Sequence, residues 1–220
     1  MILYLYALAE DIERVDDVTG VGGEPLVVIA HPGCAIVAGW IEERPAIDRE
    51  SLTRQDAVVR RVHALARAAL PVRFGTTVSD VGAAARGVAL LGAAIRERFD
   101  LVRDREQMTL RVSGASGASG ASGASKDSGT GRRYLEKRAA LRMPTEIQTL
   151  VDALQPLARA RRVERSGQTP IVTVYQLIDR GAGAAYRDAA TRAAADLPSL
   201  TVRISGPSPA YAFADLGRVR

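Results

Sequence analysis

Residues 2–8 read ILYLYAL, an unbroken apolar run. A helix crossing a bilayer needs about 20 apolar residues, so this run is far too short to be one. Its Tyr, Ile and Leu content suits a buried strand. Residues 171–178 (IVTVYQLI) make a second run of the same kind and read as a central strand. Whatever else the chain does, it builds around buried sheet.

Between these two runs the periodicity changes several times. Residues 26–30 and 35–41 are strand-like and flank His31-Pro32-Gly33-Cys34. Pro second and Gly third suit a type II turn, so these segments form a β-hairpin. Residues 51–70 form an amphipathic helix, with Val58, Val59, Val62, Leu65, Ala66 and Ala69 on one stripe, ended by Pro71. Residues 71–76 (PVRFGT) are extended. A second helix spans residues 79–99 and is weakened by Gly82, Gly87 and Gly92, which imply either a break near Gly87 or a close backbone approach at the glycines. Residues 107–112 alternate as a half-buried strand.

Four Gly-Ala-Ser triplets then fill residues 114–125. They carry no large side chain to bury, so residues 113–128 are expected to form a flexible linker, natural or engineered. Helical patterns follow over residues 131–142 and 145–161, with Pro156 interrupting the latter, then a short Ala-rich helix over 183–195 and an alternating strand over 200–205. The expected fold class is α+β in two domains. Residues 1–103 form an N-terminal domain with a small sheet. Residues 104–220 form a ferredoxin-like domain with one strand altered or missing.

With 47% hydrophobic and 25% charged residues, the composition is that of an ordinary globular protein. The net charge of +5 and a pI near 9.8 reflect abundant arginine. Such a charge speaks to non-specific attraction and not to fold. A basic ferredoxin-like RNA-binding module is the alternative it leaves open. Aromatics are only 5%, and no RNA-binding signature accompanies them. The single cysteine, Cys34, excludes an internal disulfide. No leader or membrane span is read from the sequence, so a cytoplasmic protein is expected.

Chemistry-bearing residues are sparse. His31 and His63 lack partners at metal-ligand spacing. No nucleophile elbow occurs. Neither an enzyme nor a cofactor is therefore expected. Gly129-Thr130-Gly131-Arg132-Arg133 precedes a helix and admits two readings, an anion site or a simple entry capped by Thr130. Arg73 and Phe74 are either a strand with one side chain in and one out, or an exposed contact patch. Pro207, Pro209, Tyr211 and Phe213 make a rigid aromatic tail, expected to seal the second domain. Arg60 and Arg61 on the first helix, and Arg159, Arg161 and Arg162 on a later one, read as solvated faces.

Three strings occur in a set order: PVRFGT at residues 71–76, GTGRRYLEKR at 129–138 and GPSPAYAF at 206–213. With the opening strand, they resemble the gas vesicle protein F/L family (GvpF/GvpL) over essentially the whole chain. Two departures stand out. Gln55-Asp56 occupies a place where the family often has His, and Ser208 one where it commonly has Trp. The resemblance implies a non-enzymatic accessory or minor structural protein of gas vesicles. Its implied partners are the small hydrophobic wall protein and other accessory proteins, with neither nucleic acid nor membrane. Candidate contact residues are Arg60, Arg61, Arg73, Phe74, Gly75, Tyr134, Pro207, Pro209, Tyr211 and Phe213.

Overall fold

A computed structural model describes residues 1–114, 144–165 and 171–215. Tyr134, its surrounding string and the linker from residue 115 lie outside the described residues. The fold is α+β with two sheets.

The first sheet is built on β1 (Ile2–Ala9), which is buried from Leu3 to Ala9. Its other strands are β2 (Leu26–His31), β3 (Cys34–Ile41), β4 (Ala69–Pro71) and β5 (Thr77–Val78). The order is β2-β3-β1-β4, with β5 also pairing β1, and every pairing is antiparallel. The expected hairpin forms with His31 opposite Cys34, and Gly33 takes φ +86° in the turn. A register shift between Leu5 and Ala7 marks a bulge in β1. It lets Tyr4 and Tyr6, then Ala7 and Ala9, all join one core cluster with Val58 and Val62.

Helix α1 (Arg49–Leu65) supplies those two valines. The Asp48 carboxylate caps it by accepting from Ser51 N–H at 2.8 Å. The stripe of apolar residues predicted a helix to residue 70, but α1 stops at Leu65 and Ala66 is already extended. Residues 69–71 instead pair with β1, Ala69 opposite Ala9 and Pro71 opposite Ala7. Pro71 disfavours a helical residue before it, and pairing satisfies backbone groups along β1. The next helical stretch divides into α2 (Val81–Leu90) and α3 (Gly92–Val102). The break falls at Leu91, next to Gly92, and not at Gly87.

The second sheet comprises β6 (Arg105–Ser113), β7 (Ala160–Arg165), β8 (Val172–Asp179) and β9 (Thr201–Ser208), ordered β7-β8-β6-β9. Helix α4 (Thr145–Ala153) and helix α5 (Gly183–Ala195) fall between strands, giving the order β-α-β-β-α-β. Four strands of this sheet lie among the described residues. The helix expected over residues 145–161, with Arg159, Arg161 and Arg162 on its face, ends at Ala153, and residues 160–165 (ARRVER) form β7. Pro156 closes the helical stretch in a short 3-10 turn at Gln155–Leu157, and the chain leaves it extended. Leu110, Val112, Ile147, Leu150, Val151, Val174, Tyr186 and Ala190 are buried around this sheet. Tyr186 hydroxyl donates to Gln176 Oε1, while Gln176 Nε2 has no partner among the described residues.

The chain divides into two compact units that interleave along the sequence. One holds Met1–Met108, Leu177–Gly181 and the chain from Gly206 on; the other holds Thr109–Gln176 and Ala182–Ser205. The aromatic tail, expected to seal the second domain, therefore belongs to the first unit.

Candidate protein-binding groove

Residues 71–76 are held by a buried polar network. Tyr4 is fully buried and Gln55 is 6% exposed. Tyr4 hydroxyl donates to Gln55 Oε1 and accepts from Gly75 N–H at 2.9 Å. Gln55 Nε2 in turn donates to Val72 carbonyl at 3.0 Å. Backbone bonds fix both flanks, from Val72 N–H to Tyr6 carbonyl at 2.9 Å and from Leu5 N–H to Thr76 carbonyl at 3.0 Å. The segment is thus not extended throughout. Arg73 to Thr76 is a turn closed by Thr76 N–H donating to Arg73 carbonyl at 3.2 Å. Gly75 at φ +80° occupies the third place, where a side chain would be strained.

This turn settles how Arg73 and Phe74 are disposed. Phe74 is half-buried, edge-on to Tyr4 with ring centroids 6.2 Å apart. Arg73 is exposed, and its guanidinium meets no acid among the described residues. Both border a groove of about 1120 Å³. Leu5, Leu8 and Leu70 from the sheet line it, with Leu52 of α1, Val88, Leu90 and Leu91 of the α2–α3 stretch, and Tyr211 of the tail. The lining is mostly apolar, with Gln55, Asp56, Arg73, Thr76 and Asp215 as polar members. Leu90 is 75% exposed and Leu52 46%, so large apolar side chains stand open to solvent here.

Tyr211 is held in place beside the groove. Its hydroxyl donates to Asp56 Oδ1 at 2.6 Å. Burial of the hydroxyl and the adjacent Asp56 carboxylate raise its pKa well above that of a free tyrosine. Asp56 also accepts from Arg60 Nε at 2.6 Å, and Arg60 reaches Pro207 carbonyl at 3.4 Å. The tail is tied down further by Ala212 N–H donating to Gln107 Oε1 at 2.8 Å. Ser208, the departure from the family's tryptophan, donates to Gln107 carbonyl at 3.3 Å.

The sequence-selected residues therefore sort by position. Arg73, Phe74 and Tyr211 share one groove. Gly75 shapes the turn, while Arg60 and the exposed Pro207 brace the tail. Pro209 and Phe213 are buried. Arg61 bonds Asp17 at 3.2 Å and Asp16 carbonyl at 3.3 Å, holding the loop after β1. Arg161 and Arg162 lie on β7, near Asp152 and Glu164 respectively. Leu52 and Leu90 were not singled out from the sequence. The signal was there: both are large apolar residues off the buried stripe of their helix.

Among the described residues no helix is long and apolar enough to cross a membrane. No curated protein matches the chain in sequence. Solved structures that share its fold include two gas vesicle proteins. The gas vesicle protein GvpF from Anabaena sp. PCC7120 is 18% identical with a TM-score of 0.75, over 99% of this chain and 97% of that one. GvpF from Microcystis aeruginosa is 16% identical with a TM-score of 0.77, over 97% and 99%. A sequence model of the family described as gas vesicle synthesis protein GvpL/GvpF matches residues 2–215. The resemblance carried by the three strings thus extends to the whole described fold, and the chain belongs to the GvpL/GvpF family of gas vesicle synthesis proteins.

Proposed function

We propose that this chain is a gas vesicle accessory protein that binds the small hydrophobic wall protein and supports vesicle assembly in the cytoplasm. The observation that carries the reading is the mostly apolar groove bordered by Arg73, Phe74 and Tyr211, with Leu52 and Leu90 open to solvent. A shell that keeps liquid water out needs a strongly apolar inner face. Its subunits, before they join the shell, expose apolar surface that aggregates. A preformed groove gives such surface somewhere to go, and its rigidity limits the entropy lost on binding. Arg73, free of any acid among the described residues, adds a cation at the rim that selects for a nearby carboxylate on the partner. The role needs no bond-making chemistry.

Co-purification tests the reading. The wall protein should be retained by the wild-type chain and lost, or retained several-fold less, with Leu90→Asp and Leu52→Asp. Both positions are solvent-exposed, so folding should survive. Wall protein that passes through unbound, or binds both variants undiminished, contradicts the proposal.

A further inference from the structure

The sheet edges of this protein are guarded unequally. A bare strand edge is a template for another chain, and proteins blunt such edges with charge, proline or short length. Edge strand β7 carries Arg161, Arg162, Glu164 and Arg165, and edge strand β9 contains Pro207. Strands β4 and β5 are only 3 and 2 residues long. Strand β2 is different. It is 6 residues long, LVVIAH, with no Asp, Glu, Lys, Arg or Pro, and it pairs only with β3. No backbone hydrogen bond reaches its outer side among the described residues.

The hairpin fixes which groups are unpaired. A two-residue turn closes on the His31–Cys34 pair, so the bonded pairs fall at His31, Ile29 and Val27. The N–H and C=O groups of Leu26, Val28 and Ala30 then point away from β3. Leu26 and Val28 lean on the core cluster, which leaves Val27 and Ile29 on the opposite face.

We propose that the β2 edge pairs with β2 of a second copy of this chain, antiparallel about a two-fold axis at Val28. That register sets Val28 opposite its own copy, Val27 opposite Ile29 and Leu26 opposite Ala30. Every outward backbone group of these residues gains a partner, β-branched side chains meet across the seam, and the bulky Leu26 faces the small Ala30. Pro25 and Pro32 bracket the matched segment and disfavour slipped registers. No charge lies on the strand, so the seam sets no like-charged side chains of the strand opposite each other. The contact is isologous and joins two five-stranded sheets into one. A seam of one strand per copy is smaller than a standard interface, so the dimer is weak, on the order of 10 μM or above in Kd.

Sedimentation velocity on the purified full chain, from about 5 μM to about 500 μM, tests this. The wild type should shift from monomer to dimer, and the amides of Val28 and Ala30 should exchange more slowly at the high concentration. Val28→Pro removes an outward N–H that β3 does not use and should abolish dimerisation. Ala30→Lys, at an exposed position, should weaken it at least tenfold and guards against misfolding of the proline variant. A sedimentation coefficient independent of concentration, exchange at Val28 and Ala30 that does not change, or a dimer that survives Ala30→Lys would overturn the proposal. The test uses this chain alone, so its outcome is independent of wall-protein binding.

Discussion

Tyr4→Phe is the sharpest probe of what holds the groove. The substitution keeps the ring, its contact with Phe74 and its burial, and deletes one oxygen. That oxygen accepts from Gly75 N–H at 2.9 Å and donates to Gln55 Oε1. Gln55 is 6% exposed, so its carbonyl oxygen is stranded where water does not readily replace the donor. Leaving a buried acceptor unpaired costs about 1–3 kcal/mol, and the part-buried Gly75 amide adds less than about 1 kcal/mol. We expect a loss of about 2–3 kcal/mol in urea unfolding, a Tm lower by roughly 5–10 °C for a chain of this size. Gln55→Leu should also destabilise, because Val72 carbonyl loses its donor. The double variant should be less damaged than the sum by about 1 kcal/mol, since both changes break one shared bond. Amide exchange at Gly75 should quicken in Tyr4→Phe, and wall-protein retention should fall as Arg73 and Phe74 lose their anchor. A stability change under about 0.5 kcal/mol with unchanged Gly75 exchange would refute the network as the support of this turn.

Two further outcomes follow from buried polar groups. Burial, then the nearby Arg180 and Arg60 charges, depress the His63 pKa from 6.5 to about 4. Between those values the unfolded chain binds a proton that the folded chain refuses. Unfolding free energy should therefore fall as pH drops from about 6.5 to about 4, by about 1–2 kcal/mol after allowing for solvent screening. Urea titrations against His63→Gln isolate this share, and parallel pH curves for the two proteins would contradict it. Around the second sheet, Tyr186→Phe should cost about 1–2 kcal/mol by leaving Gln176 without its remaining bond. Adding Gln176→Leu should recover most of that loss in thermal unfolding, because both polar partners are then gone; a double variant no better than the single refutes the account.

The sequence by itself determined the buried strands, the β2–β3 hairpin and α1's inward face apart from Leu65, which is exposed, because each is written in short-range periodicity or turn chemistry. Unbroken apolar runs have few alternatives, and Pro32-Gly33 specifies one turn. It also supplied the three strings that carry the family. Tertiary structure decided where competing signals met. Residues 69–71 continue a helical stripe, yet sheet pairing with β1 claimed them. Arg159, Arg161 and Arg162 read as the face of a helix, and a place at the edge of a sheet put residues 160–165 in β7. The groove was decided at the same level. Arg73 and Tyr211 are far apart in sequence, and bonds to distant residues, among them Tyr4, Gln55 and Asp56, bring their segments to one place. Local pattern fixes which side chains want burial, but which backbone neighbour satisfies them depends on contacts between distant segments that no local window contains.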